Sequence, residues 1–238
     1  METENKATIY LIPTVLSNDE KALEALPAYI MDTIKKCRVF FTEQEKTTRR
    51  IFKKLWKEMI IDNYTWYNIH RMDETLKIAF KNHLLHGDSI GIVSEAGCPG
   101  IADPGQELVA IAQSYKAKVI PLVGPSSILL ALMASGLNGQ SFRFCGYLPI
   151  DQIERKKKIK DIELRSQKEN CTQIFIETPY RNNALLNDIL AVSNTETLLC
   201  IGVNITGDNE SIQTKKIKDY KKNIPVLQKT PAIFLLQG

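Results

Sequence analysis

Apolar and polar positions along the chain change period again and again. Short strand-like runs, ATIYLIPTV (7–15), RVFFTE (38–43), TWYNIH (65–70), SIGIVSE (89–95) and KVIPLV (118–123), are separated by stretches whose apolar residues recur at helical spacing. Those stretches are 21–36, 46–56, 73–87 and 105–115. The rhythm predicts βαβ units, and so an α/β first domain built on a mostly parallel sheet. The second half predicts a helix over 126–137, a strand over 142–149, a charged helix over 151–168 and a strand over 172–178. A helix over 181–190 and strands over 197–204 and 232–238 complete a mixed sheet. The prolines and glycine of PLVGPSS (121–127) suit a stiff crossing between domains, predicted at 1–122 and 123–238.

Ligands of parallel sheets gather at the carboxyl ends of the strands. The richest such end is GIVSEAGCPGIADPG (91–105), an apolar strand running into a loop of small residues. Gly97, Gly100 and Gly105 let backbone approach a ligand, Pro99 and Pro104 stiffen the loop, and Glu95 and Asp103 add acceptors for an ammonium or hydroxyls. The corresponding loops after the other strands bring Pro13, Thr14, Glu43 and His70 toward the same crevice.

Composition excludes several alternatives. With 44% apolar and 24% charged residues the chain reads as an ordinary globular protein, and no apolar run approaches bilayer length. The polar start METENKATIY argues against a secretory signal, so a cytoplasmic protein without a membrane partner is expected. Cys37, Cys98, Cys145, Cys171 and Cys200 are scattered and read as buried thiols; no pair has metal-ligand spacing, and no metal is expected. His83 and His86 read as the polar end of a helix. The net charge of +4 conceals two basic clusters, at 155–160 and 215–222, each readable as a phosphate contact or as a solvated helix face.

Ordered motifs then carry a resemblance. YLIPTVLSN, IVSEAGCPGIADPG, PLVGPSS, LMASGL, GYLP and FIETPYR follow one another as in the small-subunit ribosomal RNA cytidine 2′-O-methyltransferases, within the tetrapyrrole methylase superfamily of S-adenosylmethionine enzymes. The resemblance implies two lobes with the cofactor in the cleft between them, and a homodimer acting on RNA. It places Ser94, Glu95, Ala96 and Gly97 at the methionine part of the cofactor, with Asp103 bracing that loop. Ser126 and Ser127 would offer backbone N–H groups to the cofactor carboxylate, and Pro231 and Ala232 would read the adenine. Pro13, Thr14, Asn18, Tyr147 and Arg181 fall on the substrate side.

The chain departs from the family pattern at Ser17-Asn18, at 43–46, where Gln44 and Lys46 replace aspartate and arginine, and at 202–207, which loses two cations and a carboxylate. A lysine cannot repeat a bidentate arginine contact. Methyl transfer to a ribose hydroxyl needs in-line placement and a proton acceptor, and Glu43, Glu95 and His70 are the candidates. Glu43 also reads as a first-turn carboxylate of the following helix. A tetrapyrrole or other small-molecule acceptor, and a non-catalytic cofactor- or RNA-binding relative, remain open beside the ribosomal RNA reading.

Overall fold

The computed structural model describes residues 7–227 and 229–238 and divides after Pro125 into two compact units. In the first, strands β1 (Thr8–Ile12), β2 (Val39–Thr42), β3 (Thr65–Asn68), β4 (Ser89–Val93) and β5 (Lys118–Pro121) form a wholly parallel sheet in the order β3-β2-β4-β1-β5. Alternate residues feed two cores. Ile9, Phe41, Ile90 and Ile92 meet helices α3 (Glu74–Leu85) and α4 (Gly105–Ser114), whereas Ile12, Phe40 and Val93 meet α1 (Tyr29–Lys36) and α2 (Glu45–Leu55). β4 carries a glycine between its isoleucines because a Cβ on Gly91 would stand 2.6 Å from the Phe40 ring.

The second unit holds α5 (Ser127–Ser135), β6 (Phe142–Tyr147), α6 (Gln152–Glu169), β7 (Thr172–Ile176) and α7 (Asn182–Val192). β8 (Leu198–Val203), β9 (Ser211–Lys216), α8 (Ile217–Tyr220) and β10 (Ala232–Gln237) complete it. Its mixed sheet runs β6-β7-β10-β8-β9, parallel only between β6 and β7. Phe175, Phe234 and Leu236 pack under α6 and α7, while α5 covers the opposite face, with Ala131 against Gly202.

Several expectations need correction. The stretch 21–36 is not one helix: a 3₁₀ turn over Glu20–Ala25 and α1 are separated at Pro27, which has no N–H to continue the first. The lysine-rich 215–222 is not a helix face either, because Lys215 and Lys216 end the edge strand β9, which periodicity did not reveal. Of the five thiols, Cys98 and Cys145 are only half-buried.

Candidate active site

Parallel pairing in register, with Ile12 and Thr42 both opposite Val93, delivers the ends of β1, β2 and β4 side by side. Three chain segments are then stitched together. The Thr14 N–H donates to Gly97 O (2.9 Å) and its hydroxyl to Ser94 O (3.2 Å), while the Ser94 hydroxyl donates to Gly97 O (2.8 Å). From β2, the Glu43 N–H donates to Val93 O (3.1 Å), and Glu43 Oε2 accepts the Glu95 N–H (2.9 Å). Gly97 sits at φ +74°, and a Cβ there would meet Leu16 at 3.1 Å and Pro125 O at 3.2 Å, so only glycine is unstrained. Ser94 and Gly97 are buried, but Glu95 and Ala96 are exposed: the loop bonds inward and presents a carboxylate and a methyl outward.

Asp103 closes the loop. Its Oδ1 accepts the N–H groups of Gly100 (2.9 Å) and Gly105 (2.8 Å), whereas its buried Oδ2 has no hydrogen-bond partner among the described residues. Burial pushes the Asp103 carboxyl above the usual range; the two backbone bonds oppose that rise and the Glu43 charge adds to it. The Cys98 sulfur faces the carbonyls of Gly124 and Pro125, and burial keeps it a thiol, which makes it a poor nucleophile. Glu43 is not a helix cap, since Gln44 takes the N-cap position of α2 and the Glu43 carboxylate turns to the loop. His70 lies exposed beyond β3, its N–H donating to Asn68 Oδ1, with no bond to Glu43 or Glu95. Asn18, also exposed, accepts from the Arg50 guanidinium at 3.1 Å. An exposed carboxylate beside a turn of small residues fits a ligand that bears an ammonium on a short chain.

In the second unit, register places Tyr147 beside Ile176, Ile176 beside Ile233 and Val203 beside Ala232, and the Asn204 N–H donates to Pro231 O. Tyr147, residues 177–182, Pro231 and Ala232 therefore share one end of that sheet. α5 points its N-terminus the same way: Ser135 O accepts from Thr214 opposite Cys200, and Ala131 lies over Gly202, one turn nearer that end. Ser126 is its N-cap, with a hydroxyl that caps nothing, and the first-turn N–H groups have no helical partner. Glu177 is buried at this end, its Oε1 accepting from the Thr178 N–H (2.6 Å) and Arg181 Nη2 (2.7 Å). Glu177 Oε2, Arg181 Nε and Asn182 Oδ1 are buried without hydrogen-bond partners among the described residues. Sequence reasoning named Arg181 but missed Glu177 and Asn182; a glutamate closing a strand with arginine four residues on was the available signal.

The basic cluster of α6 changes meaning. Arg155 is buried, donating through Nε (2.8 Å) and Nη2 (2.6 Å) to Asp188 Oδ2, and Lys156 lies 3.5 Å from Asp188 Oδ1. Lys157 pairs with Glu154. In the second cluster, hydrogen bonds from Lys216 and Lys218 hold the Glu196 carboxyl down to about 2, and Lys222 pairs with Asp219. Arg155, Lys156 and Lys157 of the first cluster and Lys216, Lys218 and Lys222 of the second are thus engaged within the fold. Among the described residues, no three His, Cys, Asp or Glu side chains gather as metal ligands, and no helix is long and apolar enough to cross a membrane.

The chain is 30% identical over 200 residues to ribosomal RNA small subunit methyltransferase I of Halalkalibacterium halodurans, covering 84% of this chain and 65% of that protein. It is 33% identical over 218 residues to the protein of the same name in Vibrio cholerae, covering 89% and 71%. The chain thus spans about two thirds of the length of these curated relatives. No protein-family model matches it. Among solved structures, uroporphyrin-III-C-methyltransferase from Thermus thermophilus superposes with a TM-score of 0.55 over 97% of this chain and 92% of that one, at 14% identity. That likeness shows the tetrapyrrole methylase fold expected from the sequence.

Proposed function

We propose that this chain, which belongs to the ribosomal RNA small subunit methyltransferase I family, transfers a methyl group from S-adenosylmethionine to a ribose 2′-hydroxyl of small-subunit ribosomal RNA. The observation that carries the reading is the loop after β4, held by β1 through Thr14 and by β2 through Glu43, with Glu95 and Ala96 left facing outward. Such a loop is set before a ligand arrives, so little ordering opposes binding.

When bound, the cofactor supplies an electrophilic methyl group on a sulfonium. The chain's own task is to hold the acceptor oxygen roughly 3–3.5 Å from that carbon, in line with the bond that breaks. On this reading Ser94, Ala96 and Gly97 shape the methionine site, Asp103 fixes the loop's far side, and the Glu95 carboxylate receives the cofactor's ammonium or the acceptor's proton. Glu43 has one oxygen committed to the Glu95 amide, so it acts first as a positioning residue, its other oxygen serving as the second candidate base. Ser126 and Ser127 are assigned to the cofactor carboxylate through helix N–H groups, and Pro231 and Ala232 to the adenine. Asn18, Tyr147 and Arg181 are assigned to the RNA, whereas Pro13 and Thr14, expected on the substrate side, are buried and Thr14 braces the loop instead; the reading also includes a homodimer at work in the cytoplasm.

The test is transfer of labelled methyl from S-adenosylmethionine to small-subunit ribosomal RNA taken from cells lacking this gene. Incorporation at one nucleotide by the intact chain, and none by Gly97→Val, is expected. Tight cofactor binding with no incorporation into any ribosomal RNA would refute the acceptor and favour a small-molecule substrate or a non-catalytic relative.

A further inference from the structure

The third basic segment, α2 with its C-terminal turn, differs from the other two in what its charges face. Between residues 45 and 58 six cations stand against two carboxylates. Arg49 pairs with Glu45 and lies 5.0 Å over the Trp66 ring, and Lys53 is turned onto the carbonyls of Lys57 and Met59. Of the other four, Lys57 follows the helix, whereas Lys46, Arg50 and Lys54 lie on it, all exposed, and among the described residues these three join no ion pair. Their spacing of four residues sets them in a row on one face, about 6 Å apart along the axis. That stride resembles the step between successive phosphates of a single strand.

Beside the row lies a shallow pocket lined by Ser17, Asn18, Asp19, Arg50 and Lys54. Asn18 Oδ1 accepts from Arg50 Nη2 and fixes the guanidinium plane, while the Ser17 hydroxyl donates to Asp19 Oδ2 at 2.7 Å and engages the one carboxylate in the pocket. A guanidinium held in this way retains other N–H donors for a two-pronged contact with phosphate oxygens. α2 also starts two residues after Glu43, so the row begins at the carboxyl end of the sheet, where the methyl-transfer loop stands.

We infer that this face of α2, with Asn18 orienting Arg50, is a docking site for backbone phosphates of RNA. The site rests on the proposed RNA substrate. It places an electrostatic footprint on a helix of the first unit, whereas on α6 Arg155, Lys156 and Lys157 are paired within the fold. Contacts of this kind position a strand without reading its bases.

The experiment measures binding of the full chain to a single-stranded segment of small-subunit ribosomal RNA and to an unrelated RNA of equal length, across a salt series. Arg50→Gln/Lys54→Gln is compared with Lys158→Gln/Lys160→Gln and with the intact chain. Loss of two phosphate contacts should weaken both RNAs about tenfold or more at low salt and flatten the slope of log affinity against log salt by about 1.4. Cofactor titration and the thermal midpoint should not move, since both side chains are exposed. An unchanged slope for the α2 variant, while the intact chain binds in a salt-dependent way, would overturn the docking site and leave the methyl-transfer reading standing. Weakening of only one RNA would overturn the phosphate assignment, because it would mean base contact. Failure of the intact chain to bind either RNA at low salt would overturn both the site and the acceptor on which it rests.

Discussion

The loop after β4 and the seam between α6 and α7 are each organised around one aspartate, and the two aspartates face opposite surroundings. Asp188, 4% exposed in its side chain, receives two bonds from Arg155 and one from Gln152, with Lys156 nearby. Burial opposes its ionisation, but those bonds and charges outweigh it and hold the carboxyl below the usual range. Among the described residues Asp103 receives two backbone N–H groups and no cation, and burial wins there. A compensated carboxylate serves folding. An uncompensated one, in a loop that presents Glu95 and Ala96 to solvent, accords with the ligand-holding role proposed for that loop, since perturbed acids gather at functional sites.

The sharpest way to break this contrast is to remove the seam's anion. Asp188→Ala strands a buried guanidinium, and a loss of about 3–5 kcal/mol in unfolding free energy is expected by denaturant titration. A loss below about 1 kcal/mol would mean the pair is not compensating burial. Next in size, Gly97→Val forces a branched side chain into φ +74° against Leu16 and Pro125 O. We expect a strain of about 1–3 kcal/mol and cofactor affinity at least tenfold weaker by calorimetry.

Asp103 itself separates charge from acceptor. Asp103→Ala leaves two buried N–H groups unmet and should cost about 1–3 kcal/mol, whereas Asp103→Asn keeps the acceptor, drops the buried charge and should stay within about 0.5 kcal/mol of the parent at pH 7. Equal losses for the two would show that the charge, not the acceptor, holds the loop. The two aspartates also predict opposite pH dependence. The stabilisation from Asp188 is full above its unfolded value of about 3.9 and disappears as pH falls through its lowered folded value. For Asp103, raised in the fold, the penalty of its buried charge is relieved as pH falls through the folded value toward about 3.9. Subtracting the acid-unfolding profile of each asparagine variant from the parent should give slopes of opposite sign. The smallest effect is expected for Glu43→Gln, whose amide oxygen still accepts the Glu95 N–H, so the thermal midpoint should barely move.

Much of this was legible beforehand, for reasons that particular residues make plain. Parallel strands buried on both faces leave continuous apolar runs such as IGIV and VFF, and glycines with prolines punctuate the loop at 97–105, so the sheet and the loop at its carboxyl edge could be read from pattern alone. What escaped was pairing at a distance. Nothing local shows that Arg155 belongs to Asp188, 33 residues on, so a buried ion pair looked like a phosphate-binding patch. Edge strand β9 hid behind its lysines, and the Glu43 bond to the Glu95 amide spans 52 residues. Charge in a sequence is visible; what neutralises it is decided by the fold.

The most direct test of the central claim is nucleoside mass spectrometry of small-subunit ribosomal RNA from cells with and without this gene, mapped to position. The account predicts that one 2′-O-methylated nucleotide disappears on deletion, returns with the intact gene, and does not return with Gly97→Val or Glu95→Ala. An unchanged methylation profile on deletion, or full restoration by Gly97→Val, would contradict it.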